Sequence, residues 1–239
     1  MEGYAMNILA LDTSSAMATV AIAAHGRIVA ESLFSTDRTL SARLIPEIEH
    51  LLVYAGLSFA DIDLFAASVG PGSFTGVRGG VATIQGLALA TGKPCVGFSS
   101  LALLSMNFSF STILVCPLLD ARKSEVYAAL YDGSKPIPVS RIADCVMSPS
   151  LFFDRLRAAT DQKIIFVGEG ALRYRDLICE QMEEQAIIAP HSLHAARGAN
   201  GTLLAHDAFL NGAPLNPSSL LPVYLRASEA ELLKKSRTA

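Results

Sequence analysis

The sequence predicts an α/β protein built from two similar subdomains with mixed sheets. Apolar runs of strand length alternate with amphipathic helical segments along all 239 residues. The order hairpin, strand, helix, strand, helix occurs twice. Hydrophobic residues make up 51% and charged residues only 17%, so a substantial core is available. No residue-level repeat accompanies the doubled layout, so the duplication is one of pattern.

The elements follow in order. NILALDTSS is an apolar run ending in Asp12 and turn residues. ATVAIAAHGRIVAESLF reads as two strands joined at His25-Gly26. In LSARLIPEIEHLLVYAG, Leu40, Leu44, Ile48, Leu51, Leu52 and Ala55 share one helical face, and Gly56 is a natural stop. Pro46 fits poorly there: the helix either begins near it or kinks at it. DLFAASVG is a strand. VGPGSFTGVRGG packs five glycines and a proline into twelve residues and leads into a helix over roughly Thr75 to Thr91. PCVGFSS is a short strand, and SLALLSMNF a short helix capped by Ser99 or Ser100.

In the second half, STILVCPLLDARKSEVYAALYD gives two strands around a turn at Ala121 to Ser124, with an irregular third strand over Pro136 to Val146. SPSLFFDRLRAAT is a helix with Ser148 as cap and Pro149 first. KIIFVGEGA is a strand and glycine turn, and LRYRDLICEQME a helix. HSLHAARGANGTLLAHDAFLNG reads as helical, weakened by Gly198 and Gly201. The expected division is 1–103, 104–219, and a tail at 220–239 that is extended and then briefly helical.

Composition excludes several classes. The net charge of −3 does not favour unaided nucleic-acid binding. The four cysteines form no CxxC, so neither a zinc knuckle nor a redox dithiol is indicated. MEGYAMN has no basic start before its apolar run, and no apolar stretch reaches membrane-spanning length, so a cytoplasmic protein is expected.

Three places carry chemistry. Asp12, Thr13 and Ser14 end a strand: they form either a magnesium–phosphate turn or an Asx turn. Asp120, followed by Arg122 and Lys123, is either a second such turn or a solvated hairpin. Gly168 and Gly170 either admit a ligand to the backbone or serve the turn alone. No Walker lysine, HExxH or GxSxG occurs, and His191 and His194 lack a third ligand. In TGVRGGVATIQGLALAT, Gly76 and Gly80, Gly79 and Thr83, and Ala82, Gly86 and Ala90 form smooth rows. These suit close packing on the protein's own sheet, on a partner, or both.

LALDTSS, SVGPGSFTGVRGGVATIQGLALATGKP, PLLDARKSEVYAALY, FVGEGA and PVYLR stand in the order of the bacterial TsaB (YeaZ) family, which the chain resembles over nearly its whole length. The resemblance implies an actin-like ATPase (ribonuclease H-like) fold. It implies a non-catalytic dimerisation subunit that supports TsaD, with TsaE joining, in transferring threonylcarbamoyl to the adenosine beside the tRNA anticodon. It places ATP and metal on the partners and none here, and allows a homodimer through a related surface. The implied partner surface is formed by Leu40–Ala55 and Thr75–Thr91, with Leu44, Ile48, Leu51, Gly76, Arg78, Gly80, Val81 and Ile84. This chain departs from the family at Leu40-Ser41, where a polar pair is usual, and at Gly79, where a large aliphatic residue is usual. The alternatives are a nucleotide-dependent phosphotransferase or ATPase using Asp12, Asp120 and Gly168, and a metallopeptidase. Against the first, the turn after Asp12 lacks the glycine usual in phosphate-binding hairpins of that superfold.

Overall fold

The structure, a computed structural model, describes residues 6–35, 40–213 and 216–225. The first sheet comprises β1 (Ile8–Asp12), β2 (Met17–Ala24), β3 (Arg27–Ser35), β4 (Leu64–Ser68) and β5 (Cys95–Phe98), in the order β3-β2-β1-β4-β5. The second comprises β6 (Leu114–Arg122), β7 (Glu125–Asp132), β8 (Val139–Met147), β9 (Ile164–Val167) and β10 (Ala186–Ile188), in the order β10-β9-β6-β7-β8. Each pairs its first three strands antiparallel and adds the last two in parallel. The doubled pattern is therefore a doubled topology. His25 and Gly26 both take positive φ, the geometry whose twist matches a two-residue hairpin.

Helices cover both outer faces. α1 (Leu40–Ala55) and α2 (Phe74–Thr91) lie on the first sheet. α4 (Pro149–Ala159) and α6 (Arg175–Met182) lie on the second, where Phe152, Phe153, Leu156, Ile178 and Met182 are buried. Strand alternation divides the core. Leu9 and Leu11 face α1 and α2, while Ile8 and Ala10 face the layer shared with the second sheet. α1 runs unbroken through Pro46. Pro46 and Ala42, whose carbonyl loses its N–H partner, are both exposed, so water meets the orphaned group.

The shared layer holds α3 (Ser100–Ser105) and α7 (Gly198–Leu210), and each packs on the other half's sheet. α3, capped by Ser99, lies on β6 and β7, while α7 lies on β1, β2, β4 and β5. The last helix of the expected 104–219 segment therefore packs on the first sheet. Gly198 and Gly201 are the reason. A Cβ on Gly198 would press on Thr19 and Ala21, and one on Gly201 on Phe98 and Ala10. The glycines that weaken the helical reading are what let α7 sit close. Its start is tied down by Thr19, which accepts from the N–H of Gly198 (2.9 Å), and by Glu31, which pairs with Arg197 and accepts from the N–H of Ala199 (3.1 Å).

Smaller departures have local causes. The helix expected over 172–183 is split at Tyr174, between α5 (Glu169–Arg173) and α6. Residues 191–193 make one turn of 3-10 helix, so α7 starts later than expected. β10 was too short, at three residues, to announce itself. After Pro217–Ser219 the chain is extended and returns to the first half. There Val223 donates to Val69 (2.8 Å), and the Gln85 amide donates to the carbonyls of Pro217 (2.9 Å) and Leu220 (3.0 Å). The expected terminal helix lies outside the described residues.

Candidate functional site

The turn after β1 and the start of α2 form one packed unit. Asp12 is buried. Its Oδ1 accepts from the N–H of Ser14 (3.1 Å) and from the hydroxyl of Ser68. Burial pushes its carboxyl above the ordinary 3.8, partly offset by those hydrogen bonds. The Thr13 hydroxyl donates to the carbonyl of Gly76 (2.7 Å), and Ser73 N–H donates to the carbonyl of Ser14 (2.7 Å). Gly72, Gly76 and Gly80 lie four apart and face this turn. A Cβ on Gly72 would sit 2.7 Å from Cβ of Ser14. One on Gly76 would strike the carbonyl oxygen of Thr13, and one on Gly80 the Thr13 hydroxyl.

Both Oδ1 of Asp12 and the hydroxyl of Thr13, groups that a magnesium–phosphate turn would use, are engaged within the chain, and α2 is seated against the turn.

The second turn is similarly self-satisfied. Asp120 Oδ1 accepts from the N–H of Arg122 (3.0 Å), and Oδ2 pairs with Arg173 (3.0 Å). Gly168 and Gly170 bring α5 onto Leu118: a Cβ on Gly170 would lie 2.9 Å from the Leu118 carbonyl carbon. Between them stands Glu169, which sequence reasoning passed over. Its carboxylate takes backbone hydrogen bonds from Ala16 and Asp120, joining the two halves. Burial pushes it upward, and the charges of Asp120 and Asp12 add to this. The only signal was a glutamate flanked by two glycines at a strand end. His194 is spent on backbone: Nε2 lies 2.8 Å from the carbonyl of Ala189, and Nδ1 3.0 Å from the nitrogen of Gly168. Among the described residues no group of three His, Cys, Asp or Glu is placed to hold a metal ion.

The partner-surface residues are redistributed. Leu44, Ile48, Leu51, Val81 and Ile84 are buried against the first sheet, and Gly76 and Gly80 against the β1–β2 turn. The helical face with the greatest apolar content is the one the sheet claims. The large apolar side chains that α1 and α2 leave exposed are Val53 (75%), Tyr54 (82%), Leu89 (69%) and, less so, Phe74 and Ile45. Gly86 faces open space. The two departures at Leu40 and Gly79 meet each other: a Cβ on Gly79 would lie 3.6 Å from Cδ2 of Leu40, an ordinary contact. The leucine stands beside the space that glycine leaves. Arg78 is exposed on α2, its guanidinium carbon 3.6 Å from the Phe74 ring centre, with Nε donating to the Tyr224 hydroxyl (2.7 Å).

Two five-stranded mixed sheets of matching topology, with helices outside and between them, define a duplicated α/β protein of the actin-like class. Component A of the (R)-2-hydroxyglutaryl-CoA dehydratase of Acidaminococcus fermentans shares this fold at a TM-score of 0.50 and 14% identity, over 84% of this chain and 98% of that one. A family model described as TsaD, tRNA N6-adenosine threonylcarbamoyltransferase, matches residues 27–233. The chain is 27% identical to the tRNA threonylcarbamoyladenosine biosynthesis protein TsaB of Bacillus subtilis, covering 95% of this chain and 96% of that protein. It is 29% identical to the Escherichia coli TsaB, covering 94% and 96%. YeaZ from Pseudomonas aeruginosa superposes with a TM-score of 0.77 at 29% identity, over 92% of this chain and all of that one (100%). The chain belongs to the family this model defines, and within it to the TsaB (YeaZ) group. No helix among the described residues is long and apolar enough to cross a membrane.

Proposed function

We propose that this chain is the non-catalytic dimerisation subunit of the bacterial complex that transfers a threonylcarbamoyl group to the tRNA adenosine beside the anticodon, and that it acts by binding and supporting TsaD. Involvement in that modification follows from the names its relatives carry. One observation carries the scaffold role. Where the superfold would hold a phosphate, the polar groups of Asp12 and Thr13 are engaged within the chain, and α2 is seated on them. The outer faces of α1 and α2 meanwhile keep Val53, Tyr54 and Leu89 in solvent. TsaD covers that face, TsaE joins the pair, and tRNA is reached through the complex. ATP and metal reside on the partner subunits. A second copy of this chain uses the same face when TsaD is absent, and the complex works in the cytoplasm. Co-purification with the cognate TsaD and TsaE, with and without ATP, tests the reading. A stable pair with TsaD is expected, and its absence in both conditions refutes the proposal.

A further inference from the structure

Arg78 stands among the residues of the implied partner surface, expected there either salt-bridged at the helix N-terminus or exposed at the interface. The structure surrounds it with features that a solvated surface arginine lacks. Its guanidinium carbon lies 3.6 Å from the centre of the Phe74 ring, one turn earlier on α2, and 5.5 Å from that of Tyr224. The two rings are 5.1 Å apart. Nε is committed to the Tyr224 hydroxyl at 2.7 Å, which orients the fork, and neither terminal nitrogen has a hydrogen bond among the described residues. Among the described residues no carboxylate lies within ion-pair distance of Arg78. Tyr224 is itself held in place, because Val223 before it is hydrogen-bonded to Val69 (2.8 Å). Around the cation, Phe74, Tyr224, Val223 and Leu221 are all substantially exposed. An oriented guanidinium with no carboxylate partner among the described residues, ringed by exposed aromatic and aliphatic groups, has the composition of a binding hot spot.

We propose that Arg78, oriented by Tyr224, is the anchor for a carboxylate side chain of the TsaD partner, and that the returning tail Leu221–Tyr224 is part of the same contact. The inference rests on the function proposed above and adds the chemistry of the partner's contact. A fork with Nε already occupied presents its two terminal nitrogens to two carboxylate oxygens. The surrounding apolar groups exclude water from that pair once the partner is seated. Arg78 is the contact residue and Tyr224 the positioning residue.

Calorimetry of full-length variants against the cognate TsaD, at about 50 mM and about 500 mM NaCl, tests this. R78A is expected to weaken binding about thirtyfold and to flatten its salt dependence. R78K, which keeps charge and stem but not the fork, is expected to lose about tenfold. It also keeps the test open should R78A prove unstable on melting. Y224F keeps the ring and removes only the hydroxyl. It is expected to cost about threefold to tenfold in the wild-type background and nothing further in R78A. Wild-type affinity and salt dependence retained in both R78A and R78K would overturn the inference alone. A wild-type chain that does not bind TsaD at all would overturn the proposed function, and the inference with it.

Discussion

The Thr13 hydroxyl donates to the carbonyl of Gly76 across 2.7 Å, and a methyl on Gly76 would collide with the Thr13 carbonyl oxygen. These two residues join the first turn of the first sheet to the first turn of α2. The glycine-rich segment is therefore a seat for a helix. Gly76→Ala is expected to lower stability by about 1–3 kcal/mol through overpacking. Gly86→Ala, at an exposed helical position with open space around it, is expected to raise stability by about 0.5–1 kcal/mol. Urea denaturation of the pair checks both signs.

The two faces of α2 separate stability from binding. Ile84 is fully buried (0%), so Ile84→Glu places a charge in the core and is expected to cost about 3–5 kcal/mol and lose the fold. Leu89→Glu, at an exposed position, is expected to melt as wild type does and to bind TsaD more weakly. Thermal melts with co-purification distinguish them, and an Ile84→Glu chain that folds normally would refute the packing described.

How much was legible follows from this contrast. The hairpin at His25-Gly26, the stop at Gly56 and the cap at Ser99 are local events, set by residues adjacent in sequence. The periodicity of α1 and α2 showed that each has an apolar face. It could not show whether sheet or partner takes it, because both make the same demand. The placement of α7 on the first sheet was hidden for a related reason. Gly198 and Gly201 read locally as helix weakeners, and their use depends on Thr19, Ala21, Ala10 and Phe98, far away in the chain. Asp12 and its turn were visible as a feature, but whether its polar groups are free is settled by Ser68 and Gly76.

The tie between α7 and β3 titrates. Burial pushes the Glu31 carboxyl up, but Arg197 and the N–H of Ala199 outweigh this, and it sits below its ordinary 4.5. A lowered carboxyl contributes stability that is present above the unfolded value and lost as pH falls through the folded one. Glu31→Gln is therefore expected to be less stable than wild type at neutral pH, by about 1 kcal/mol because Arg197 is half exposed. The difference should close as pH drops below 4.5. Asp12 and Glu169, raised by burial, act with the opposite sign in both proteins and cancel from the comparison. Denaturation midpoints across pH check it.

The cysteines report local packing. Cys179 is exposed, whereas Cys95 and Cys116 are buried, and burial pushes the Cys116 thiol well above 9.0. In the folded chain Cys179 is expected to react promptly with an aromatic disulfide reagent. Cys95 and Cys116 should react only after denaturation, as mass mapping of the labelled peptides would show.

The central claim, that the turn at Asp12–Ser14 is closed by the chain's own helix and holds no nucleotide, is tested most directly by titrating magnesium-ATP into the isolated protein. The account predicts no saturable heat up to about 1 mM nucleotide. Saturable, magnesium-dependent binding in the micromolar range, abolished by Asp12→Asn, would contradict it.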